Sequence, residues 1–418
     1  MKNNRKLSII APLGDFVKQE AFGGILIVCS AALGLIFANS GLGNFYNEFL
    51  HAGFSLKISS LSLEMDLGHL INDGLMTIFF FLVGLEIKRE LVAGHLSTLR
   101  QAIPSAIAAL GGMAIPALIF LLIANSESRN GWGVAVATDI ALALGILTLA
   151  GNSAKPSLRP FLLGLAVIDD VGAILIIAIV YSSGVSMSWL IVSILSVGFV
   201  ILFRKTGVEN KFAYIFVGLV LWLSLYKAGI HPTLAGVILG LLTPASPFFQ
   251  PEYIDQEELA NLQNIDHVKE SQKIIKGSIS TVEWLEHAIH PWSAYFIVPL
   301  FAFANSGIEI TESGLTDSLN SKLFWAVFFG LLVGKPVGIF LSALAIKRAG
   351  VGELPREANL KDIFATGTAA GIGFTVAIFI SKLAFNEVSQ QEQAILGVLC
   401  ASLISGLLSL WLFRVNSL

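Results

Sequence analysis

The sequence has few charged residues, few cysteines and no basic tract. Charged residues make up 13% of its 418 residues, against about 25% in an average soluble protein. The two cysteines, Cys29 and Cys400, stand far apart, so they form neither a disulfide framework nor a metal-ligand cluster. A net charge of −3 without basic runs argues against a nucleic-acid partner. We expect no cofactor, and the shortage of charge argues against an ordinary soluble protein.

Apolar residues are abundant instead. Hydrophobic residues make up 55% of the chain, and the mean hydropathy is +0.77. A membrane-crossing helix needs about 20 mostly apolar residues, which predicts an all-α integral membrane protein of about twelve transmembrane helices. All of them belong to one transport domain, residues 1–418. The predicted spans are residues 21–38, 67–86, 102–124, 131–150, 161–181, 187–203, 212–226, 230–243, 291–307, 323–345, 363–384 and 393–413.

The basic residues are distributed unequally between the two sides of this arrangement. If the N-terminus lies in the cytoplasm and the spans alternate, 20 of the 26 Lys and Arg residues are cytoplasmic and 5 are external. The remaining one, Lys335, lies inside a span. Such an excess follows the positive-inside rule. Both termini are therefore predicted to be cytoplasmic.

Two connections differ from plain loops. Residues 54–65 alternate apolar and polar side chains on either side of Ser59 and Ser60, which indicates a small β-hairpin on the outer side. Residues 248–285 form a polar cytoplasmic loop. Within this loop, apolar residues recur at every third position, which fits either a surface-lying amphipathic helix or a mobile linker. They are Leu259, Leu262, Ile265 and Val268.

Four charged residues lie near the centres of predicted spans: Asp139, Asp169, Asp170 and Lys335. A charge at that depth costs about 2.5–3.5 kcal/mol on insertion scales, and such residues usually mark an ion or proton route. A buried ion pair that only holds helices together is the structural alternative. However, three carboxylates exceed one lysine, so a cation or protons must neutralise the excess. Burial and close carboxylates favour the protonated form, so protons compete there with a hard cation such as sodium or lithium.

Helix-breaking residues indicate where this site lies. The eleventh span contains Gly367, Gly371 and Gly373, and the fourth span has Thr138 and Asp139 at the matching depth. Each span is the middle helix of a group of three, and the two run in opposite directions. This pattern predicts inverted repeats with two broken helices that cross at the membrane midplane. Close helix packing is the alternative explanation for the glycines.

Eight motifs resemble those of the NhaA family of bacterial sodium/proton antiporters, over residues 12 to 413. They are FLVGLEIKRE (81–90), ATDIA (137–141), IDD (168–170), HPTLAG (231–236), LEHAIHPW (285–292), PLFAFAN (299–305), GKP (334–336) and GIGFT (371–375). The general rule that links broken helices to inverted repeats was drawn partly from NhaA itself. The rule and the resemblance are therefore not independent of each other.

The resemblance implies twelve helices in the bacterial inner membrane and electrogenic exchange of more protons than sodium ions. It also implies activation at alkaline pH and a homodimer joined through the outer hairpin. Asp169 and Asp170 match the ion-binding pair of the family, and Asp139, beside Thr138, and Lys335 match the crossing of the broken helices.

A second group of residues matches the pH-sensing cluster of the family. By helical spacing, Glu86, Arg89 and Glu90 share one face at the inner end of the second span. The other members are Glu286, His287 and His290 at the inner start of the ninth span, together with His231. Histidine titrates near neutral pH, which suits a sensor. An ordinary interfacial charge belt is the alternative for the cluster, and a helix-start hydrogen bond is the alternative for His231.

The predicted function is secondary active transport, not enzymatic catalysis. The protein exchanges sodium or lithium for protons by alternating access while embedded in membrane lipid. An intramembrane aspartyl protease is disfavoured, because Gly371-Ile372-Gly373 is followed by Phe374 and not by aspartate. A passive sodium channel is the other alternative, although no repeated filter motif is visible.

Overall fold

Helices account for nearly all the regular structure. The computed structural model describes residues 10–58, 61–94, 96–182, 184–208, 210–245, 279–350, 354–355 and 357–417. Its main helices are α1 Ile10–Ala38, α2 Gly43–Leu50, α3 Leu67–Val92, α4 Leu99–Ile123, α5 Ile140–Ala150, α6 Leu158–Val180, α7 Met187–Thr206, α8 Lys211–Ala228, α9 Leu234–Leu242, α10 Thr281–Trp292, α11 Val298–Ser306, α12 Glu312–Asn320, α13 Lys322–Phe329, α14 Lys335–Ala349, α15 Leu360–Ala370, α16 Phe374–Ala384 and α17 Val388–Asn416. A 3₁₀ helix, Ser126–Val136, precedes α5, and π-helical turns at Ser293–Ile297 and Gly330–Gly334 join α10 to α11 and α13 to α14. The predicted all-α class is confirmed.

The described helices suit a chain that crosses a membrane several times. Seven are long and apolar enough to span it, and up to ten segments qualify when each of three bent helix pairs counts as one span. Spans 230–243 and 291–307 are among the predicted spans that differ from the structure. Span 230–243 shortens to α9, which has 9 residues, because His231 and Pro232 lie in the preceding turn. Span 291–307 is the second part of a helix that already begins at Thr281 and contains a π-helical turn.

Two strands pair at the predicted hairpin. β1 Gly53–Ile58 and β2 Leu61–Asp66 are antiparallel, with Gly53 opposite Asp66 and Ile58 opposite Leu61. The turn at residues 59–60 lies outside the described residues, and the position of the hairpin on the outer side remains a prediction.

The predicted loop 248–285 ends earlier than expected. Ser280 accepts the N–H of Glu283 through its hydroxyl at 3.2 Å. This N-cap starts α10 at Thr281, so the last residues of the predicted loop are helical. The rest of the loop up to residue 278, including the apolar positions 259–268, lies outside the described residues.

The chain divides into two compact units. The second unit comprises Asp73–Ser97 and Ser182–Ser293. In it, glycines bring α9 against α3 backbone to backbone. A Cβ atom added to Gly236 would lie 2.1 Å from the carbonyl oxygen of Thr77, and one added to Gly84 would lie 2.8 Å from that of Val237. Any larger residue would separate the two helices.

The first unit comprises Met1–Asn72, Thr98–Tyr181 and Ala294–Leu418. Its core contains many alanines, which lets helices approach closely. A Cβ atom on Gly338 of α14 would lie 2.1 Å from the Gly111 carbonyl oxygen of α4, and one on Gly334 would lie 2.7 Å from the Cα of Pro116. Lys335 is held between these glycines, at the start of α14 and in the interior of the unit.

Two helices of the first unit are broken near their middle. The 3₁₀ helix and α5 meet at a bend of 50°, and α15 and α16 meet at a bend of 49°. The first half of the fourth span is therefore a 3₁₀ helix from Ser126, and not an α-helix from residue 131. The prediction for Gly367 is wrong, because it lies inside α15 and the break is at residues 371–373. A Cβ on Gly367 would lie 3.1 Å from the Cα of Pro336, so its role is close packing.

Candidate ion-exchange site

The two helix breaks are joined by a main-chain hydrogen bond. The N–H of Asp139 donates to the carbonyl oxygen of Ile372 at 2.7 Å. Both residues lie between helices, where these groups lack a helical partner and therefore satisfy each other. The two breaks are thus in direct contact inside the first unit.

Asp139 lies between the N-termini of two helices. Its Oδ1 accepts the N–H of Leu142 in α5 at 3.1 Å. Its Oδ2 accepts the N–H of Thr375 in α16 at 3.1 Å and the hydroxyl of the same residue at 2.6 Å. A carboxylate in this position offsets the partial positive charge of both helix ends. Because helix N-termini occupy both its oxygens, Asp139 is suited to shaping the site and not to binding the ion directly.

Thr138, Asp169 and Lys335 form a buried polar group beside Asp139. The ammonium of Lys335 donates to Oδ2 of Asp169, and neither side chain has any exposed surface. The hydroxyl of Thr138 lies 2.9 Å from the same oxygen and 3.1 Å from the carbonyl oxygen of Ala370, the last residue of α15. The fourth span, α6 and α14 therefore meet at one carboxylate oxygen.

The two oxygens of the Asp169 carboxylate differ in their surroundings. Its Oδ1 is buried and has no hydrogen-bond partner among the described residues. Such an unmet group costs about 1–3 kcal/mol. Asp170, the next residue of α6, is also buried, and its side chain leaves the helix about 100° further round. Two neighbouring carboxylates with one open oxygen are the kind of ligand that a hard cation prefers.

No resident metal centre is visible in the part of the chain that the structure describes. There, no group of three or more His, Cys, Asp or Glu side chains could hold a metal ion.

Arg89 is the centre of a separate cluster in the second unit. Its Nη1 donates to Oε1 of Glu286 at 2.6 Å, and its Nη2 lies 3.4 Å from Oε1 of Glu90. The Oε2 of Glu286 is buried without a partner among the described residues. Half-buried His290 lies one turn further along α10, and His287 is exposed. Six of the predicted pH-sensing residues thus lie on two helices that contact each other, α3 and α10.

The surroundings of this cluster shift the pKa values of two of its members, Glu286 and His290. Burial raises the pKa of Glu286, the Arg89 guanidinium opposes the shift, and the carboxylates of Glu90 and Glu283 add to it. Burial lowers the pKa of His290, as do the positive charges of His287 and Arg89. Both groups therefore favour their uncharged forms.

The two remaining residues of the predicted pH-sensing cluster are Glu86 and His231. Glu86 is half-buried on α3, one turn before Glu90. His231 lies in the turn before α9, and its carbonyl oxygen accepts the N–H of Leu234 at 3.2 Å. This is the helix-start position that the sequence left open as the alternative for His231.

Comparison with known proteins identifies the family. The family model described as Na+/H+ antiporter 1 matches residues 14–413. The Na(+)/H(+) antiporter NhaA 2 of Myxococcus xanthus is 42% identical over 96% of this chain and 89% of its own length. The chain belongs to the NhaA family of Na⁺/H⁺ antiporters. The NhaA protein of Yersinia enterocolitica is also 42% identical, over 96% of both chains. A solved structure of the sodium proton antiporter MjNhaP1 from Methanocaldococcus jannaschii aligns with a TM-score of 0.49 at 14% identity over 98% of both chains, too distant a match to add to the assignment.

Exchange of sodium ions for protons is therefore the function of this NhaA-family chain. The predicted membrane-transport function is confirmed, and the relatives are transporters and not enzymes. Sequence reasoning missed Thr375, which donates two hydrogen bonds to Asp139. The sequence does contain a signal for Thr375, because it follows the glycine-rich break directly. A threonine in the first turn after such a break can contact the helix that crosses there.

Replacing Asp139 by alanine should lower stability and sodium affinity together. The change removes an N-cap, worth about 1 kcal/mol, and leaves the hydroxyl of Thr375 without its acceptor. We expect a lower melting temperature and a several-fold higher apparent KM for sodium, with some exchange retained. Asn359→Ala is the matched control, because Asn359 caps the N-terminus of α15 away from the ion pair. It should lower the melting temperature only; an unchanged KM and melting temperature in Asp139→Ala would refute this role.

Proposed function

We propose that Asp169 and Asp170 bind a sodium or lithium ion and protons alternately, and that Lys335 couples the two. The observation that carries the proposal is the ion pair between Lys335 and Asp169, which has no exposed surface and leaves Oδ1 of Asp169 open. A cation that enters can bind this oxygen and the neighbouring carboxylate of Asp170. Its positive charge then replaces that of the lysine.

The exchange of charge follows from burial. A buried lysine keeps its proton only while a carboxylate partner compensates the charge. When the cation takes Asp169, Lys335 loses that partner and releases its proton. A second proton leaves Asp170 as the cation binds. More positive charge then leaves the site than enters it, so the exchange is electrogenic.

Alternating access suits a site that is closed to solvent. Side chains without exposed surface do not line an open pore, which disfavours the passive channel. The breaks at residues 137–139 and 371–373 are the points where the surrounding helices can move. The proposal also includes twelve spans with inverted repeats in a bacterial inner membrane, with both termini in the cytoplasm. Two copies form a homodimer that is joined through β1 and β2.

A vesicle experiment separates exchange from conduction. In everted vesicles with an imposed pH gradient, sodium or lithium should dissipate the gradient, and a potential-sensitive dye should report charge movement at the same time. A channel would change the membrane potential without stoichiometric proton release. Collapse of the pH gradient without any charge movement would contradict electrogenic exchange.

Regulation by pH is proposed for the Arg89–Glu286 cluster. A carboxyl whose pKa is raised by folding stabilises the fold below its ordinary pKa and loses that contribution as pH rises through the raised value. A histidine whose pKa is lowered does the reverse, and its contribution is lost as pH falls below about 6.5. Rising pH therefore places on Glu286 a charge that its surroundings disfavour, and this favours rearrangement.

Glu286→Gln should shift activation to higher pH. The variant cannot acquire the disfavoured charge, so the low-pH arrangement persists. We therefore expect the pH of half-maximal exchange to rise. Glu283→Gln removes the same charge from an exposed position one turn earlier and should shift the profile much less. Equal shifts in the two variants would show that pH regulation depends on the overall charge and not on Glu286.

A further inference from the structure

Three serines of α17 face the broken helix formed by α15 and α16. Ser402 accepts the N–H of Phe374 at 3.2 Å, and Ser409 donates to the carbonyl oxygen of Ala365 at 2.8 Å. Ser405 lies between them and has no exposed surface, yet its hydroxyl has no partner among the described residues. A buried hydroxyl without a partner is unfavourable, because it has lost its hydrogen bonds to water without replacing them. The cost of Ser405 in this state therefore requires an explanation.

A carbonyl that lacks its regular helical donors, that of Leu331, lies close to Ser405. Within a helix, the carbonyl of Leu331 would receive the N–H of residue 335 in α spacing or of residue 336 in π spacing. The N–H of Lys335 donates to Gly330 instead, as the π-helical turn requires. Residue 336 is proline and has no N–H. The regular helical donors of the Leu331 carbonyl are thus both missing, directly before the lysine of the ion site.

The Ser405 hydroxyl and the Leu331 carbonyl both lie beside the helix break at Gly371. A Cβ atom on Gly371 would lie 2.7 Å from the Leu331 oxygen and 3.0 Å from the Ser405 hydroxyl oxygen. Both groups therefore lie on the side of Gly371 where a Cβ atom would be. They fit there only because glycine has no side chain. A modest movement of the break would bring the hydroxyl and the carbonyl together.

We propose that Ser405 is a positioning residue for sodium/proton exchange. Its hydroxyl donates to the Leu331 carbonyl in the opposite access state, after the break at Gly371 has moved. Leu331 lies one helical turn before Lys335, so this hydrogen bond holds the lysine-bearing helix in that second state. The inference rests on the alternating access proposed above.

Ser405→Ala tests the inference in purified and reconstituted protein. The state described here loses no hydrogen bond in this variant, so its melting temperature should not fall and its sodium dissociation constant should not change. The second state loses one hydrogen bond, so the maximal exchange rate should fall about five- to tenfold at unchanged KM. Ser402→Ala and Ser409→Ala each remove a bond that exists in this state, and both should lower the melting temperature.

A double-mutant cycle with Pro336→Ala identifies the acceptor. Alanine at 336 restores an N–H within reach of the Leu331 carbonyl, so Ser405 loses its partner. In that background Ser405→Ala should have no further effect on rate. Additive losses, a wild-type rate in Ser405→Ala, or a melting temperature lowered as in the two control serines would each overturn the inference. Failure of the unaltered protein to exchange would instead refute the proposed function.

Discussion

Replacing Asp170 by asparagine should abolish sodium-dependent proton exchange in a protein that still folds and inserts. Asparagine keeps the shape of the side chain but cannot carry the negative charge or release a proton. At a buried position of low dielectric constant, loss of one unit charge should reduce exchange at least about a hundredfold. In the proposed cycle Asp170 is protonated before sodium binds, and asparagine resembles this uncharged form, so the melting temperature should stay level. Exchange and thermal unfolding are measured on the same preparation.

Asp317→Asn provides the matched control. Asp317 is an exposed residue of α12, so the same chemical change there should affect neither exchange nor stability. Near-normal exchange by Asp170→Asn would remove this residue from the ion site. A parallel fall of both activity and melting temperature would show that Asp170 acts through the fold.

Replacing Lys335 by glutamine should convert the exchanger to electroneutral transport and destabilise it. The change leaves the Asp169 carboxylate buried without its charged partner, and breaking such a pair by removing one member costs about 3–5 kcal/mol. Only the proton of Asp170 would then exchange for a sodium ion. We expect the current per sodium ion transported to fall to near zero, measured on a supported membrane, together with a clear fall in melting temperature.

Two further variants separate coupling from packing. Lys335→Gln combined with Asp169→Asn leaves no lone buried charge from the pair, so much of the lost stability should return without restoring the current. Lys322→Gln removes an exposed lysine at the start of α13 and should change neither property. Undiminished current per sodium ion in Lys335→Gln would leave the lysine a structural role only.

The charged residues of the site could be predicted because burying a charge in a membrane is expensive. Asp139, Asp169 and Lys335 were conspicuous in apolar spans for that reason, and all three lie in the buried group around the two breaks. The glycine signal was weaker, since the same residue permits both an unwound stretch and close packing. Gly371 is at the break, whereas Gly367 packs inside α15.

Main-chain partners were beyond the reach of sequence patterns. The link from Asp139 to Ile372 and the approach of Ser405 to the Leu331 carbonyl depend on how segments far apart in the chain meet in space. Ser405 looked like any small residue in an apolar helix, and only its neighbours in the structure distinguish it from Ser402 and Ser409. The early start of α10 at Thr281 is not evident from the sequence, because Ser280 lies within a continuous polar stretch.

The competition of sodium and protons for one buried site is tested most directly by calorimetry. Sodium binding to the purified protein is titrated in buffers that differ in ionisation enthalpy, so that the slope of the observed heat gives the number of protons released per sodium ion bound. The unaltered protein should release more than one proton per ion, and Lys335→Gln and Asp170→Asn should each release fewer. Sodium binding with no proton release, or with the same release in all three proteins, would contradict the exchange of sodium and protons at Asp169, Asp170 and Lys335.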